Sequence, residues 1–134
     1  MANALYPKWK EQLLQFTANN NLSAGTVKVA LVDTGVYTYS SAHQFVTDLS
    51  TSRVGTDQTL GSKTFTSGVF DAADVTFTAV TGASVEALVI YIDTGSTSTS
   101  PLVAYIDTSV TGLPVTPNGG DISITWNASG IFQL

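Results

Sequence analysis

The chain has 134 residues, no cysteine, 11% charged residues and a formal net charge of −5. That length fits a single domain, residues 1–134, able to bury roughly two-thirds of its unfolded surface without a disulfide or metal staple. The absence of cysteine excludes disulfides, thiolate metal sites and a cysteine nucleophile. The shortage of Lys and Arg argues against nucleic-acid binding, which needs cations to neutralise phosphates.

No apolar run approaches the ~20 residues of a membrane span. The opening MANALYPKWKEQ lacks the basic-then-apolar order of a signal peptide. Helical periodicity begins immediately: Leu5, Trp9, Leu13 and Phe16, widened by Leu14, predict one amphipathic helix over Ala4–Ala18. Asn3 is placed to cap it, Pro7 is tolerated in its first turn, and Asn19-Asn20-Asn21 stops it. The apolar stripe is expected to dock on a sheet, with projection to bind a partner as the alternative.

Thr26–Thr34 reads as a strand, with Val27, Val29 and Leu31 alternating with Lys28 and Ala30. A loop, Gly35–Ser41, carries Tyr37 and Tyr39, and a short helix is expected within Ala42–Leu49. Ser52–Leu60 is polar enough to be an edge strand. Lys63–Phe70 alternates around Phe65, with Gly68 suggesting a bulge. Asp71–Asp74 reads as a turn, and Val75–Val80 as a strand with Val75, Phe77 and Ala79 on one side.

The centre of the chain is the run Ala87–Ile92, apolar at six consecutive positions, followed by a second run at Leu102–Ile106. Uninterrupted short runs imply strands covered on both faces. The Gly95–Pro101 segment between them is a polar turn, so the two runs form a long-looped antiparallel hairpin. Gly112–Gly120 is an extended loop with two prolines, Asp121–Trp126 alternates Ile122, Ile124 and Trp126 against polar residues, and Asn127–Gly130 turns into Ile131–Leu134.

Strands do not alternate with helices, so a parallel βαβ sheet is not expected. The pattern predicts a mainly β, α+β fold: an antiparallel β-sandwich of seven or eight strands with one N-terminal helix. Three strands end in Asp-Thr, at Asp33, Asp93 and Asp107, which suggests a recurring turn whose carboxylate accepts backbone N–H bonds.

No catalytic constellation is complete. Asp-Thr-Gly at Asp33–Gly35 and Asp93–Gly95 resembles the aspartic-protease tripeptide, in which two carboxylates share a proton. The apolar-apolar-Gly element that accompanies it is missing, and the chain is too short for two lobes. The single histidine, His43, lacks a nucleophile-elbow context and cannot furnish an imidazole-rich metal site. Asp71 and Asp74 lack the ligand ladder of a calcium loop. No phosphate loop or dinucleotide fingerprint occurs, and Glu86 reads as a strand-end residue. No enzyme activity, metal or cofactor is expected.

The composition points elsewhere. With 20 Thr and 14 Ser, the surface is made of hydroxyls, which suit packing against copies of itself or a scaffold. Several phrases, MANALYPK, VKVALVDT, GVFDAADVTFTAVTG, EALVIYIDTG, LVAYIDT and TGLPVTPNGGDISITW, resemble a family of short proteins encoded by tailed bacteriophages, over nearly the whole chain. Members with a suggested role look like capsid decoration (cement) proteins. That resemblance implies a virion structural protein made in the host cytoplasm, sitting as a homotrimer on the major capsid protein. It carries over no catalytic residue. Tyr6, Trp9, Tyr37 and Tyr39 are the expected exposed aromatic contacts, with a core position for Trp9 as the alternative. A tail or host-receptor-binding module, presenting a carbohydrate site on its Ser/Thr loops, is the other reading.

Overall fold

A computed structural model describes residues 3–18 and 20–134. Asn19, part of the expected helix stop, lies outside the described residues. The elements in order are β1 (Ala4–Leu5), α1 (Pro7–Gln15), β2 (Thr26–Val32), β3 (Arg53–Thr59), β4 (Val69–Phe70), β5 (Val75–Phe77), β6 (Ala87–Asp93), β7 (Leu102–Ile106), β8 (Ile122–Ile124) and β9 (Phe132–Gln133). The protein is mainly β with a single helix, and every strand pairing is antiparallel.

The two apolar runs form the hairpin expected of them. β6 is the middle strand of a five-stranded sheet ordered β1-β7-β6-β2-β3. Register places Leu88, Ile90 and Ile92 on one face with Leu31, Val29 and Val27 of β2, and Ala87, Val89 and Tyr91 on the other with Val32, Ala30 and Lys28. Ala87 through Ile92 are all buried, so both faces are covered. Each fully buried aliphatic side chain there contributes roughly 1.5–3 kcal/mol, an upper range because the unfolded chain already shields part of it.

The remaining strands form two separate two-stranded ribbons, β4–β9 and β5–β8, rather than one continuous second sheet. Phe77 and Val75 of β5, Ile122 and Ile124 of β8, and the following Trp126 join the same core as the large sheet. Trp126 is locked by its indole N–H, which donates to the Ala73 carbonyl at 3.1 Å. Both edges of the large sheet are blunted. β1 has two residues, while β3 carries a register shift against β2 and a left-handed Gly55 (φ +71°).

Five local expectations are corrected. The helix starts at Pro7, not Ala4, because Ala4 and Leu5 pair with Tyr105 and Ala104 of β7. Asn3 is consequently not a helix cap. Its carboxamide oxygen accepts the N–H groups of Asp107 and Thr108 (2.7 and 2.9 Å), clipping the N-terminal strand to the end of β7. The Lys63–Phe70 strand reduces to β4, since a 3-10 turn occupies Thr66–Gly68. The short helix expected in Ala42–Leu49 is one 3-10 turn, Val46–Leu49, and Ala79 is exposed with φ +51° rather than continuing β5.

Candidate functional site: a tyrosine clamp and an apolar groove

Three of the four aromatic residues singled out from the sequence meet in one cluster, but as core. Tyr6 and Tyr37 are fully buried and Tyr39 is half-buried, which overturns the expectation that they are exposed. The cause lies in the backbone. The Tyr6 N–H donates to the Val103 carbonyl, extending β1 along β7, and the Tyr37 N–H closes a turn on the Asp33 carbonyl. Tyr6 and Tyr37 share a hydroxyl–hydroxyl hydrogen bond of 2.8 Å, and the Tyr37 hydroxyl also bonds His43 Nδ1 at 2.8 Å. Tyr39 stacks at a tilt between Tyr6 (5.1 Å) and Tyr105 (5.5 Å).

Burial pushes the Tyr37 phenol up to about 12, against a smaller lowering by the Tyr6 hydrogen bond, and it raises Tyr6 still further. These phenols therefore stay protonated at physiological pH. The arrangement suits a clamp that holds the 33–45 loop on the sheet; it does not supply a base. Beside it a shallow cleft is lined by Thr34, Tyr39, Glu86, Tyr105 and Asp107. Partial burial opposes ionisation of Glu86, but hydrogen bonds from Ser84 and from the Thr34 amide and hydroxyl outweigh it and lower its pKa.

The paired aspartates do not form a dyad. Thr26 faces Asp93 and Val32 faces Ala87, so Asp33 and Asp93 lie at opposite ends of neighbouring strands. Seven residues of strand separate them by roughly 23 Å. Asp33 and Asp93 each accept the N–H two residues on, from Gly35 and Gly95, as the turn reading expects. Asp93 is also paired with Lys28 at 3.0 Å. Among the described residues no three His, Asp or Glu side chains are grouped to hold a metal, and no helix is long and apolar enough to cross a membrane.

Trp9, the fourth aromatic, is also buried, as the core alternative had it, edge-on to Phe132 at 5.9 Å. Its indole N–H has no acceptor among the described residues. Trp9 forms the inner wall of an open groove of about 540 Å³, with Leu13, Phe16, Leu22, Phe65 and Leu134 among its other walls. Among the described residues, no side chain lining this groove is charged. Lys63 approaches its border, donating to the Leu22 and Gly25 carbonyls.

The helix end that borders the groove runs against local propensity. The Phe16 N–H donates to the Leu13 carbonyl and the Thr17 N–H to the Gln12 carbonyl, the double bond of a Schellman terminus. Phe16 therefore occupies the left-handed position (φ +55°, ψ +42°) normally given to glycine. A left-handed conformation costs a side-chain-bearing residue about 1–2 kcal/mol. That backbone also carries Phe16 off the helical stripe: Phe16 is 94% exposed and Leu14 89%, while Phe65 and Leu134 are 40% and 66% exposed. The predicted stripe therefore fails beyond Leu13. Adjacent Leu13 and Leu14 gave a hint, since two neighbours cannot both face one narrow side. The left-handed turn at Phe16 left no mark in the sequence.

No family model matches the chain, and a search of curated proteins finds no similar sequence.

Proposed function

We propose that this is a non-enzymatic phage virion protein of the capsid decoration type, which binds the major capsid protein on the outside of the shell as a homotrimer and stabilises it against internal pressure. The observation that carries the reading is the contrast between inside and outside. The central strands are buried on both faces, giving a stiff body, whereas the exterior has few charges, many hydroxyls and one large uncharged apolar groove. A surface of that kind is suited to being covered. Shells offer local three-fold positions, which a symmetric trimer matches.

The tail or receptor-binding reading draws on the Ser/Thr loop after β6. Its hydroxyls are largely spent within the loop: Ser96 on Ser98 (2.9 Å), and Ser100 on the Ser96 carbonyl (2.7 Å). That leaves little to recruit a sugar. Quantifying the chain in purified virions of the encoding phage tests the choice. A copy number comparable with that of the major capsid protein supports decoration; a tail-like handful, or none, rejects it.

A further inference from the structure

The chain has six asparagines, and Asn118 alone is followed by glycine. That neighbour matters chemically. A backbone nitrogen can attack Cγ of the asparagine before it, and glycine carries no Cβ to hinder the approach. The Gly119 nitrogen gives up its proton and bonds to Asn118 Cγ. The Cγ–Nδ2 bond breaks, and the displaced group takes up the proton and leaves as ammonia. Water then opens the cyclic imide at either carbonyl, giving aspartate or isoaspartate, with nothing oxidised or reduced. Asn118, Gly119 and Gly120 are exposed, so water reaches them.

The folded chain opposes this step. The Gly119 N–H donates to the Val80 carbonyl at 2.8 Å, which holds the proton that the attack must shed. The Val80 N–H donates in turn to the Gly120 carbonyl at 3.0 Å. The Gly120 N–H donates to Asn118 Oδ1 at 3.0 Å, tethering the side chain. The Ala79 N–H donates to Asp121 Oδ1 at 3.0 Å, so the pairing runs on past the Phe77–Ile122 end of the β5–β8 ribbon. We propose that Asn118 is a latent deamidation site, guarded by the pairing of Gly119 with Val80 and modified when that pairing opens. Opening at an exposed ribbon end needs less free energy than global unfolding, so the guard fails locally first. Conversion adds a carboxylate to a chain already at −5, close in sequence to Asp121, and isoaspartate lengthens the backbone by one carbon. The inference takes nothing from the proposed function.

Peptide mapping by mass spectrometry tests this on the full chain, held in mildly alkaline buffer either folded or unfolded in guanidinium chloride. The unfolded chain is expected to deamidate at Asn118 ahead of every other asparagine, and about tenfold or more faster than the folded chain. Asp121→Ala, at an exposed position, removes the acceptor of the Ala79 N–H. It is expected to speed deamidation severalfold in the folded state, with unchanged circular dichroism, and to leave the unfolded rate alone. Gly119→Ala is expected to slow the unfolded rate. Equal rates in the folded and unfolded wild type overturn the proposal, as does another asparagine reacting as fast as Asn118 in the unfolded chain. A folded Asp121→Ala that deamidates no faster than wild type overturns the guard. The wild-type comparison decides by itself if Asp121→Ala fails to fold.

Discussion

Replacing Phe16 by glycine should make the isolated monomer more stable, although it deletes a large apolar side chain. Releasing the left-handed backbone returns about 1–2 kcal/mol. Glycine's greater freedom in the unfolded chain takes back about 0.4–1 kcal/mol. The side chain itself contributes little, because only 6% of its surface is covered, since 94% is exposed. At about 25 cal/mol per Å² on about 200 Å², that coverage is worth about 0.3 kcal/mol. The net gain is about 0.5 kcal/mol, or about 2 °C in Tm for a domain of this size. Urea unfolding at a concentration low enough to keep the chain monomeric measures it without a contribution from association. Phe16→Ala, which deletes the ring but keeps the strain, should show no gain. If Phe16→Gly instead loses 1 kcal/mol or more, the ring packs within its own chain and the strained-terminus reasoning is wrong.

The tyrosines give a second, spectroscopic check. All five, Tyr6, Tyr37, Tyr39, Tyr91 and Tyr105, are raised above the ordinary phenol value, with burial the largest cause in each. A raised folded-state pKa contributes stability that is complete below the unfolded value and is lost as pH climbs towards the folded one. Stability should therefore hold up to about pH 10, the unfolded phenol value, and fall above it, Tyr37 giving out by about 12. Ultraviolet difference spectra should show tyrosinate appearing with unfolding; reversible ionisation of several tyrosines near the ordinary value in the folded state would contradict the clamp. Gly130 has φ +105° and a Cβ there would collide with Val69 Cγ1, whereas Gly119, at φ +88°, has open space. Gly130→Ala should cost about 2 kcal/mol or more and Gly119→Ala about 1 kcal/mol by chemical denaturation; equal costs would mean that the Gly130 crowding is relieved elsewhere. Ile90→Ala, in the middle of β6 and fully buried, should cost about 2–5 kcal/mol, and a loss under 1 kcal/mol would mean the strand is not covered on both faces.

The strands that build the scaffold were legible because their signal is local. Ala87–Ile92 and Leu102–Ile106 are apolar without interruption, and Val27, Val29 and Leu31 alternate, so β6, β7 and β2 fall where the pattern puts them. The polar Arg53–Thr59 run is an edge strand for the same reason. What the pattern hid is long-range. Ala4 and Leu5 carry a good helical signal, yet pairing with β7, about a hundred residues away, outweighs it and turns Asn3 from a cap into a clip. Tyr6, Tyr37 and Tyr39 lie on segments that look solvent-facing one at a time; only their convergence over Tyr105 makes a core of them. The groove was least legible. Its walls come from the helix end, the connection after it, Phe65 and the last residue, and no sequence window contains them together.

A cryo-electron-microscopy map of the phage particle tests the central claim most directly. The account predicts density on the outside of the shell into which this body, with its five-stranded sheet, fits. A shell carrying no such density would contradict it.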